Sequence, residues 1–138
     1  MMIVDASVWV AAADATDAFC GESRRFLAAV VRHRLPISVP AFARIEVACA
    51  LTRKIQDAVL GRQLANGILA CPLLSEIALD PTFLARSLHV GTDALLRGAD
   101  SLYATAAEVT GGILVSWDSE LLRRAGALTP VDWLTANP

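Results

Sequence analysis

The chain has 138 residues, 55% of them hydrophobic and 19% charged, and its formal net charge is −2. That length suffices for one domain with a substantial core, and we expect a single domain over residues 1–138. The apolar run over residues 8–13, as long as any in the chain, is far below the roughly 18 residues that a membrane-spanning helix needs. Asp5 interrupts the apolar N-terminus and no basic segment precedes it, which argues against a secretory signal.

The cysteine content predicts the compartment. Cys20, Cys49 and Cys71 are odd in number and widely spaced, so they fit neither a disulfide framework nor a paired-cysteine zinc site. This pattern favours a reducing setting, and we expect the protein to be cytoplasmic. The excess of apolar residues also suggests that a partner, or a second copy of the chain, covers part of the surface.

In the first half of the chain, short apolar runs alternate with longer amphipathic segments. In chain order we predict a strand at 2–4, helices at 6–13 and 17–34, a strand at 37–39, and helices at 41–54 and 56–71. Pro40 closes the second strand and suits the start of the next helix, where its missing N–H costs nothing.

The second half repeats the alternation. We predict a strand at 73–79, a helix at 80–89, a loop at 91–93, a helix at 100–110, a strand at 113–115, a helix from 119 and an edge strand at 128–131. The edge position of the last strand is inferred from Pro130, which cannot donate to a sheet. Strands that alternate with helices predict an α/β fold with a mainly parallel sheet and helices on both faces.

Four acidic residues occupy related places in this pattern. Asp5 and Asp118 each follow a buried strand, while Glu46 and Asp100 lie on helices that follow strands. The carboxyl ends of parallel strands meet at one edge of the sheet, where α/β sheets bind ligands. An Asp before a helix is more often a cap than a ligand. The segment around Glu46 also leaves two alternatives open, a half-buried ligand or a carboxylate paired with an arginine.

Gathering four carboxylates requires compensation. Two carboxylates about 4 Å apart repel by roughly 4 kcal/mol at an effective dielectric constant near 20. A divalent cation, or protonation, would relieve that repulsion. Because the four candidates are all carboxylates, with no His or Cys among them, oxygen ligands alone favour Mg²⁺ or Mn²⁺ over Zn²⁺.

The remaining charge is compatible with a phosphate-rich partner. Apart from these four residues, ten acidic residues are set against twelve basic ones, and all but one of the basic residues are arginine. Arginine is well suited to bidentate phosphate contacts. The candidates for contacts to such a partner are Arg24, Arg25, Arg53 and Arg97. A solvated surface of mixed charge explains any one of them equally well.

At four points the sequence resembles the PIN domain family, and within it the VapC-like ribonuclease toxins of toxin–antitoxin pairs. The matching motifs are Ile3-Val4-Asp5-Ala6-Ser7, then Val39-Pro40 with Ile45-Glu46-Val47, then Arg97-Gly98-Ala99-Asp100-Ser101-Leu102-Tyr103, and Leu114-Val115-Ser116-Trp117-Asp118 with Glu120-Leu121 behind it. They occur in the family's order and spacing across essentially the whole chain. Ser116 stands where threonine is commoner and keeps the hydroxyl.

The resemblance implies a three-layer α/β/α fold with a sheet of about five strands. It implies that Asp5, Glu46, Asp100 and Asp118 gather around Mg²⁺ or Mn²⁺, with Ser7 and Ser116 orienting the site. The implied activity is metal-assisted hydrolysis of an RNA phosphodiester. The implied partners are an RNA substrate, a cognate antitoxin and a second copy of the chain.

Two other functions stay open at this point. One is a PIN-like module that binds RNA or a protein without cutting. The other is a phosphatase that uses Asp5 as its nucleophile. Such phosphatases usually need a second acid two residues on, where this chain has Ser7, and a lysine in the site, for which Lys54 is the only candidate.

Overall fold

The computed structural model describes all 138 residues and confirms the predicted α/β class. The strands are β1 (Met2–Val4), β2 (Ile37–Pro40), β3 (Leu74–Ile77) and β4 (Ile113–Val115). The helices are α1 (Ala6–Ala13), α2 (Cys20–Arg32), α3 (Ala43–Ile55), α4 (Ala58–Ile68), α5 (Pro81–Asp93), α6 (Gly98–Thr110), α7 (Ser119–Arg124) and α8 (Pro130–Ala136). None of these helices has the length and hydropathy that a membrane crossing demands.

All four strands run parallel, in the order β3-β2-β1-β4. In the pairing of β1 with β4, Val4 is opposite Val115, and the N–H of Asp5 donates to the carbonyl of Val115 at 3.0 Å. The chain therefore leaves both strands at the same edge of the sheet. This register places Asp5 beside the segment that begins at Ser116.

The predicted fifth strand at 128–131 is wrong. Leu128 forms only a single parallel bridge with Val115, and α8 begins two residues later. The Thr129 hydroxyl accepts from the N–H of Asp132, while the Asp132 carboxylate accepts from the N–H and hydroxyl of Thr129. This is a capping box with Pro130 at the first helical position, so the proline starts a helix and does not mark an edge strand.

The predicted loop at 91–93 is also wrong, because α5 continues through it. A Cβ atom added at Gly91 would lie 2.6 Å from the Cβ of Ser101 on α6. The glycine therefore permits close packing of α5 on α6 and does not interrupt the helix. Several other limits also differ from prediction; for example, α6 begins at Gly98, before Asp100, and α2 begins at Cys20, not at Asp17.

The core is built around β1, whose three residues are all buried. Trp9 of α1 and Tyr103 of α6 are the largest side chains with almost no exposed surface, and the indole N–H of Trp9 donates to the carbonyl of Val4 at 3.1 Å. Helix α6 packs against β1, β2 and β4, so its N-terminal turn reaches the edge where β1 and β4 end. The three cysteines are unpaired.

Lys54, near the end of α3, holds the turn between α1 and α2. Its ammonium group lies 2.9 Å from a carboxylate oxygen of Asp14 and 2.8 Å from one of Asp17. Hydrogen bonds from Lys54 and from the hydroxyl and N–H of Thr16 lower the pKa of Asp14 to about 2. This network connects α3 to the turn that leads into α2.

Replacing Lys54 with Met should raise the pKa of Asp14 from about 2 toward its ordinary value. A carboxyl group with a depressed pKa stabilises the fold at neutral pH, and that contribution is lost as the pH falls through the depressed value. The variant should therefore lose about 0.5–1 kcal/mol of stability at pH 7, and the loss should shrink between pH 4 and pH 2.

Urea unfolding at several pH values, with NMR titration of the Asp14 carboxyl group, checks this prediction. Lys54→Arg is the matched control, since it keeps the positive charge. An Asp14 pKa that is the same in wild type and Lys54→Met would contradict it.

Candidate functional site

Asp5 directly follows β1, and three hydrogen bonds hold its carboxylate group in place. Its Oδ2 atom accepts from the N–H of Ser7 at 3.1 Å, the Ser7 hydroxyl at 2.5 Å and the Ser116 hydroxyl at 2.9 Å. Asp5 is thus the N-cap of α1, as its position before a helix suggests. Its Oδ1 atom makes no hydrogen bond, and every fully buried polar side-chain atom has a partner, so Oδ1 is open to solvent.

Asp118 follows β4 and caps α7. Its Oδ1 atom accepts from the N–H groups of Glu120 at 2.8 Å and Leu121 at 3.2 Å. Its own N–H donates to the Ser116 hydroxyl at 2.8 Å, which connects it to Asp5 through that hydroxyl. Burial acts to raise the pKa of Asp118, but these backbone donors and Arg97 outweigh burial and lower the pKa.

Arg97 joins Asp118 to Asp100. Its Nε atom lies 2.8 Å from Oδ2 of Asp100, and its Nη2 atom lies 2.5 Å from Oδ2 of Asp118. Asp100 is the third residue of α6 and is only 8% exposed, whereas 65% of the Arg97 side chain is exposed. The guanidinium group therefore covers two of the acids from the solvent side.

Glu46 lies in the first turn of α3 and is half-buried, as the sequence predicts. Its Oε1 atom accepts from the hydroxyl of the buried Tyr103 at 2.8 Å. Neither Arg44 nor Arg53 pairs with it, and Arg44 lies 3.6 Å from Glu76 instead. Of the two alternatives that the sequence left open for Glu46, the carboxylate paired with an arginine is therefore wrong. The residues around Glu46 do not indicate that its partner is Tyr103, which lies 57 residues further along the chain.

The four predicted acids line one cleft of about 300 Å³, together with Ala6, Ser7, Arg97 and Ala99. Burial, together with the charge of Asp100, raises the pKa of Asp5 above its ordinary value despite the serine donors. Burial and the charges of Asp5 and Asp100 raise the pKa of Glu46. Asp5, Glu46 and Asp100 therefore interact electrostatically, whereas Arg97 is the charged group that acts on the pKa of Asp118.

The donor set fits a hard divalent cation, since the cleft offers carboxylate and hydroxyl oxygens and neither His nor Cys. No three acidic, His or Cys side chains converge closely enough to hold one ion in this arrangement. In this arrangement Arg97 supplies the positive charge between Asp100 and Asp118. The chemistry of the oxygen donors therefore fits a cation, and Arg97 is the resident counter-charge of two of them.

The other arginines predicted to contact RNA lie outside this cleft. Arg24 donates from Nε to the carbonyl of Ala12 at 2.8 Å, and Arg25 pairs with Glu22 at 3.2 Å. Arg53 lines a separate apolar groove of about 620 Å³ between α3 and α4. Lys54 is held by Asp14 and Asp17 and does not line the acidic cleft.

A model of the PIN domain matches residues 2–127 of the sequence. The chain belongs to the PIN domain family. The matched residues include all four acids, from Asp5 after the first strand to Asp118 after the last. The sequence has no significant match among curated proteins.

Solved structures support the fold. The chain is similar to PAE2754 from Pyrobaculum aerophilum, with a TM-score of 0.72 and 24% identity over 98% of this chain and 94% of that one. It is similar to VapC20 from Mycobacterium tuberculosis, a toxin that cleaves the sarcin-ricin loop, with a TM-score of 0.76 and 17% identity over 93% and 97%. It is also similar to VapBC2 from Rickettsia felis, bound to promoter DNA, with a TM-score of 0.70 and 13% identity over 93% and 96%. At sequence identities this low, the structural similarity shows the fold alone.

Replacing Arg97 with Gln should lower the stability of the metal-free protein, because Asp100 and Asp118 lose their shared counter-charge. Since the Arg97 side chain is largely exposed, we expect a loss of about 0.5–1 kcal/mol. The same change should tighten Mg²⁺ binding on the order of tenfold, because a unit charge about 5 Å from a divalent ion costs roughly 1–2 kcal/mol even in water.

Thermal unfolding in EDTA and calorimetric titration with Mg²⁺ check the two halves of this prediction. Arg86→Gln is the matched control, since Arg86 pairs with Glu108 on the surface and does not line the cleft. Equal Mg²⁺ affinity in wild type and Arg97→Gln would count against Arg97 as the resident counter-charge.

Replacing Asp5 with Asn should stabilise the metal-free protein at pH 7. Because the pKa of Asp5 is raised in the fold, its ionised form is disfavoured there, and Asn removes that charge while keeping an acceptor for the serines. The gain should shrink as the pH falls toward 4 and wild-type Asp5 takes up its proton. The Asp100→Asn substitution should increase the stability by less, because it also removes the ion pair with Arg97.

Melting temperatures measured in EDTA between pH 7 and pH 4 check this comparison. A less stable Asp5→Asn protein at pH 7 would show that burial and the neighbouring acids do not disfavour the ionised Asp5 carboxylate as its raised pKa implies.

Proposed function

We propose that this protein is a metal-dependent endoribonuclease that hydrolyses RNA phosphodiester bonds. The observation that carries the proposal is the convergence of Asp5, Glu46, Asp100 and Asp118, from separate elements of a PIN domain, on one cleft with oxygen ligands only. PIN domains are typically Mg²⁺-dependent nucleases. Mutually destabilised carboxylates are the arrangement that a divalent cation would stabilise.

Each residue has a distinct role in this proposal. The four acids hold Mg²⁺ or Mn²⁺, with Asp5 and Asp100 as the principal ligands. When bound, the ion supplies positive charge to the phosphate oxygens and makes a water molecule more acidic. Ser7 and Ser116 fix Oδ2 of Asp5, so that Oδ1 is presented to the cleft. Tyr103 holds Glu46 by its hydroxyl group.

Arg97 has a second role once it leaves Asp100 and Asp118. Arg97 lines the same cleft, and its side chain is largely exposed. Its guanidinium group can therefore contact a phosphate of the bound RNA. The reaction consumes water and breaks one P–O bond. The family pattern implies products with a 5′-phosphate and a 3′-hydroxyl.

We further propose that the protein is the toxin of a toxin–antitoxin pair, acting as a single domain in the cytoplasm. Support comes from the similarity to VapC20, to VapBC2 and to a toxin–antitoxin complex from Klebsiella pneumoniae. Exposed apolar side chains on and after α5, including Leu84, Leu88 and Leu95, also favour a covering antitoxin or a second copy of the chain.

The phosphatase alternative is weakened by two observations. Ser7 stands where a second acid is needed, and its hydroxyl is already bonded to Asp5. Lys54 is held by Asp14 and Asp17, away from the cleft. A PIN-like module that binds without cutting is separated from the nuclease by the cleavage experiment below.

Asp100→Asn should reduce RNA cleavage by at least about 100-fold, since a metal supplies several kcal/mol of transition-state stabilisation. The measurement is incubation of purified protein with total cellular RNA in Mg²⁺, Mn²⁺ or EDTA, followed by mapping of the 5′ ends. Discrete cuts that need both the metal and Asp100 would identify the activity and its substrate together.

Glu108→Gln is the matched control, because Glu108 lies on the same helix but is exposed and pairs with Arg86. It should cleave as wild type does. Absence of cuts by folded wild-type protein, free of any bound antitoxin, would favour the binding module.

A further inference from the structure

Two aromatic rings stack at the edge of the sheet where the acids lie. The ring centroids of Phe19 and Trp117 are 4.1 Å apart, and the ring planes differ by only 13°. Trp117 lies between Ser116 and Asp118 in the chain, and both of these residues belong to the acidic site. The backbone of Trp117 therefore joins the pair to the candidate active site, and the two rings lie beside the acidic cleft without lining it.

Trp117 is held rigidly in this pair. Its indole N–H donates to the hydroxyl of the buried Ser23 at 2.8 Å. Its backbone N–H donates at 3.0 Å to the hydroxyl of Ser7, the same group that bonds to Asp5. Because hydrogen bonds hold both the backbone and the indole of Trp117, its ring needs little further ordering when a ligand stacks on the pair.

Phe19 is the outer member of the pair. It lies in the turn before α2 and is 46% exposed, with one face of its ring against Trp117. Its chain neighbours Thr16, Asp17, Ala18 and Glu22 are small or polar, so no large apolar side chain adjoins the exposed ring in the local sequence. Protein interfaces bury a wide area around such a residue, whereas one flat ring matches one nucleobase.

We propose that Phe19 and Trp117 form a stacking platform for an unpaired base of the substrate RNA, adjacent to the phosphate that is cut. This inference rests on the proposed ribonuclease function. Stacking accepts every base because each has a π face, but it requires that the base be unpaired. The platform therefore directs the enzyme to single-stranded segments and loops, while other contacts would choose the sequence.

The main test measures the affinity for a short single-stranded RNA in EDTA, where cleavage does not interfere. Phe19→Ala and Phe19→Leu should each bind roughly 5- to 150-fold more weakly, because both remove the π face. Phe19→Tyr should bind as wild type, because it retains the aromatic face. Val31→Ala is the matched control, since Val31 is 45% exposed at the other end of α2.

A substitution in the RNA makes the test specific. Removing the stacked base should weaken binding to wild type by a similar factor and should cause no further loss with Phe19→Ala, as expected for two halves of one contact. On irradiation, RNA that carries 5-iodouridine should cross-link to Phe19 or Trp117. Mass spectrometry identifies the cross-linked residue.

Two outcomes would overturn the platform. The first is an RNA affinity of Phe19→Leu equal to that of wild type, and the second is a loss from Phe19→Ala that is the same with and without the base. Either result would rule out base stacking on Phe19. If wild type cleaves RNA but the Phe19 variants bind normally, this inference alone fails. If binding depends on Phe19 but no RNA is cut, only the nuclease proposal fails.

Discussion

Negative charge gathered at one edge of the parallel sheet is the constraint on which the rest of the site depends. Burial disfavours ionised Asp5 and Glu46, and the neighbouring acids disfavour them further. The fold compensates with hydroxyl donors to Asp5, backbone donors to Asp118 and the guanidinium of Arg97. These contacts keep the acids in one cleft and still leave Oδ1 of Asp5 open.

The contacts that compensate the negative charge differ from one acid to the next. Asp118 is a helix cap with a lowered pKa, so it stays ionised in the metal-free protein. Asp5 is also a helix cap, yet burial gives it a raised pKa. Capping and ligand roles are therefore compatible, because a carboxylate has two oxygens and a cap needs only one.

The surroundings of the cleft are more rigid than its mouth. The Ser7 hydroxyl contacts Asp5, lies 3.3 Å from the Ser116 hydroxyl and accepts from the N–H of Trp117, so the segments that follow β1 and β4 meet at one oxygen. Arg97 is held only by ion pairs on an exposed side chain. Exposed ion pairs are weak, so the group that blocks the acids is also the group most easily displaced.

The sequence by itself determined the fold class and the positions of the acids. Short apolar runs that end in Asp5 and Asp118 predict parallel strands with carboxylates at their exits, because only the hydrophobic period and the strand ends are needed. It misjudged Pro130 and Gly91, since the role of each depends on a partner: Asp132 for the capping box and Ser101 for the close helix contact.

Only the tertiary structure decided which groups satisfy those acids. Tyr103 reaches Glu46 across 57 residues, Arg97 spans Asp100 and Asp118, and Phe19 stacks on Trp117 from another element. Local sequence describes the periodicity and capping of each element. Partners of buried polar groups are set by the register of β1 on β4 and by the packing of α6 against the sheet, and these are properties of the folded chain alone.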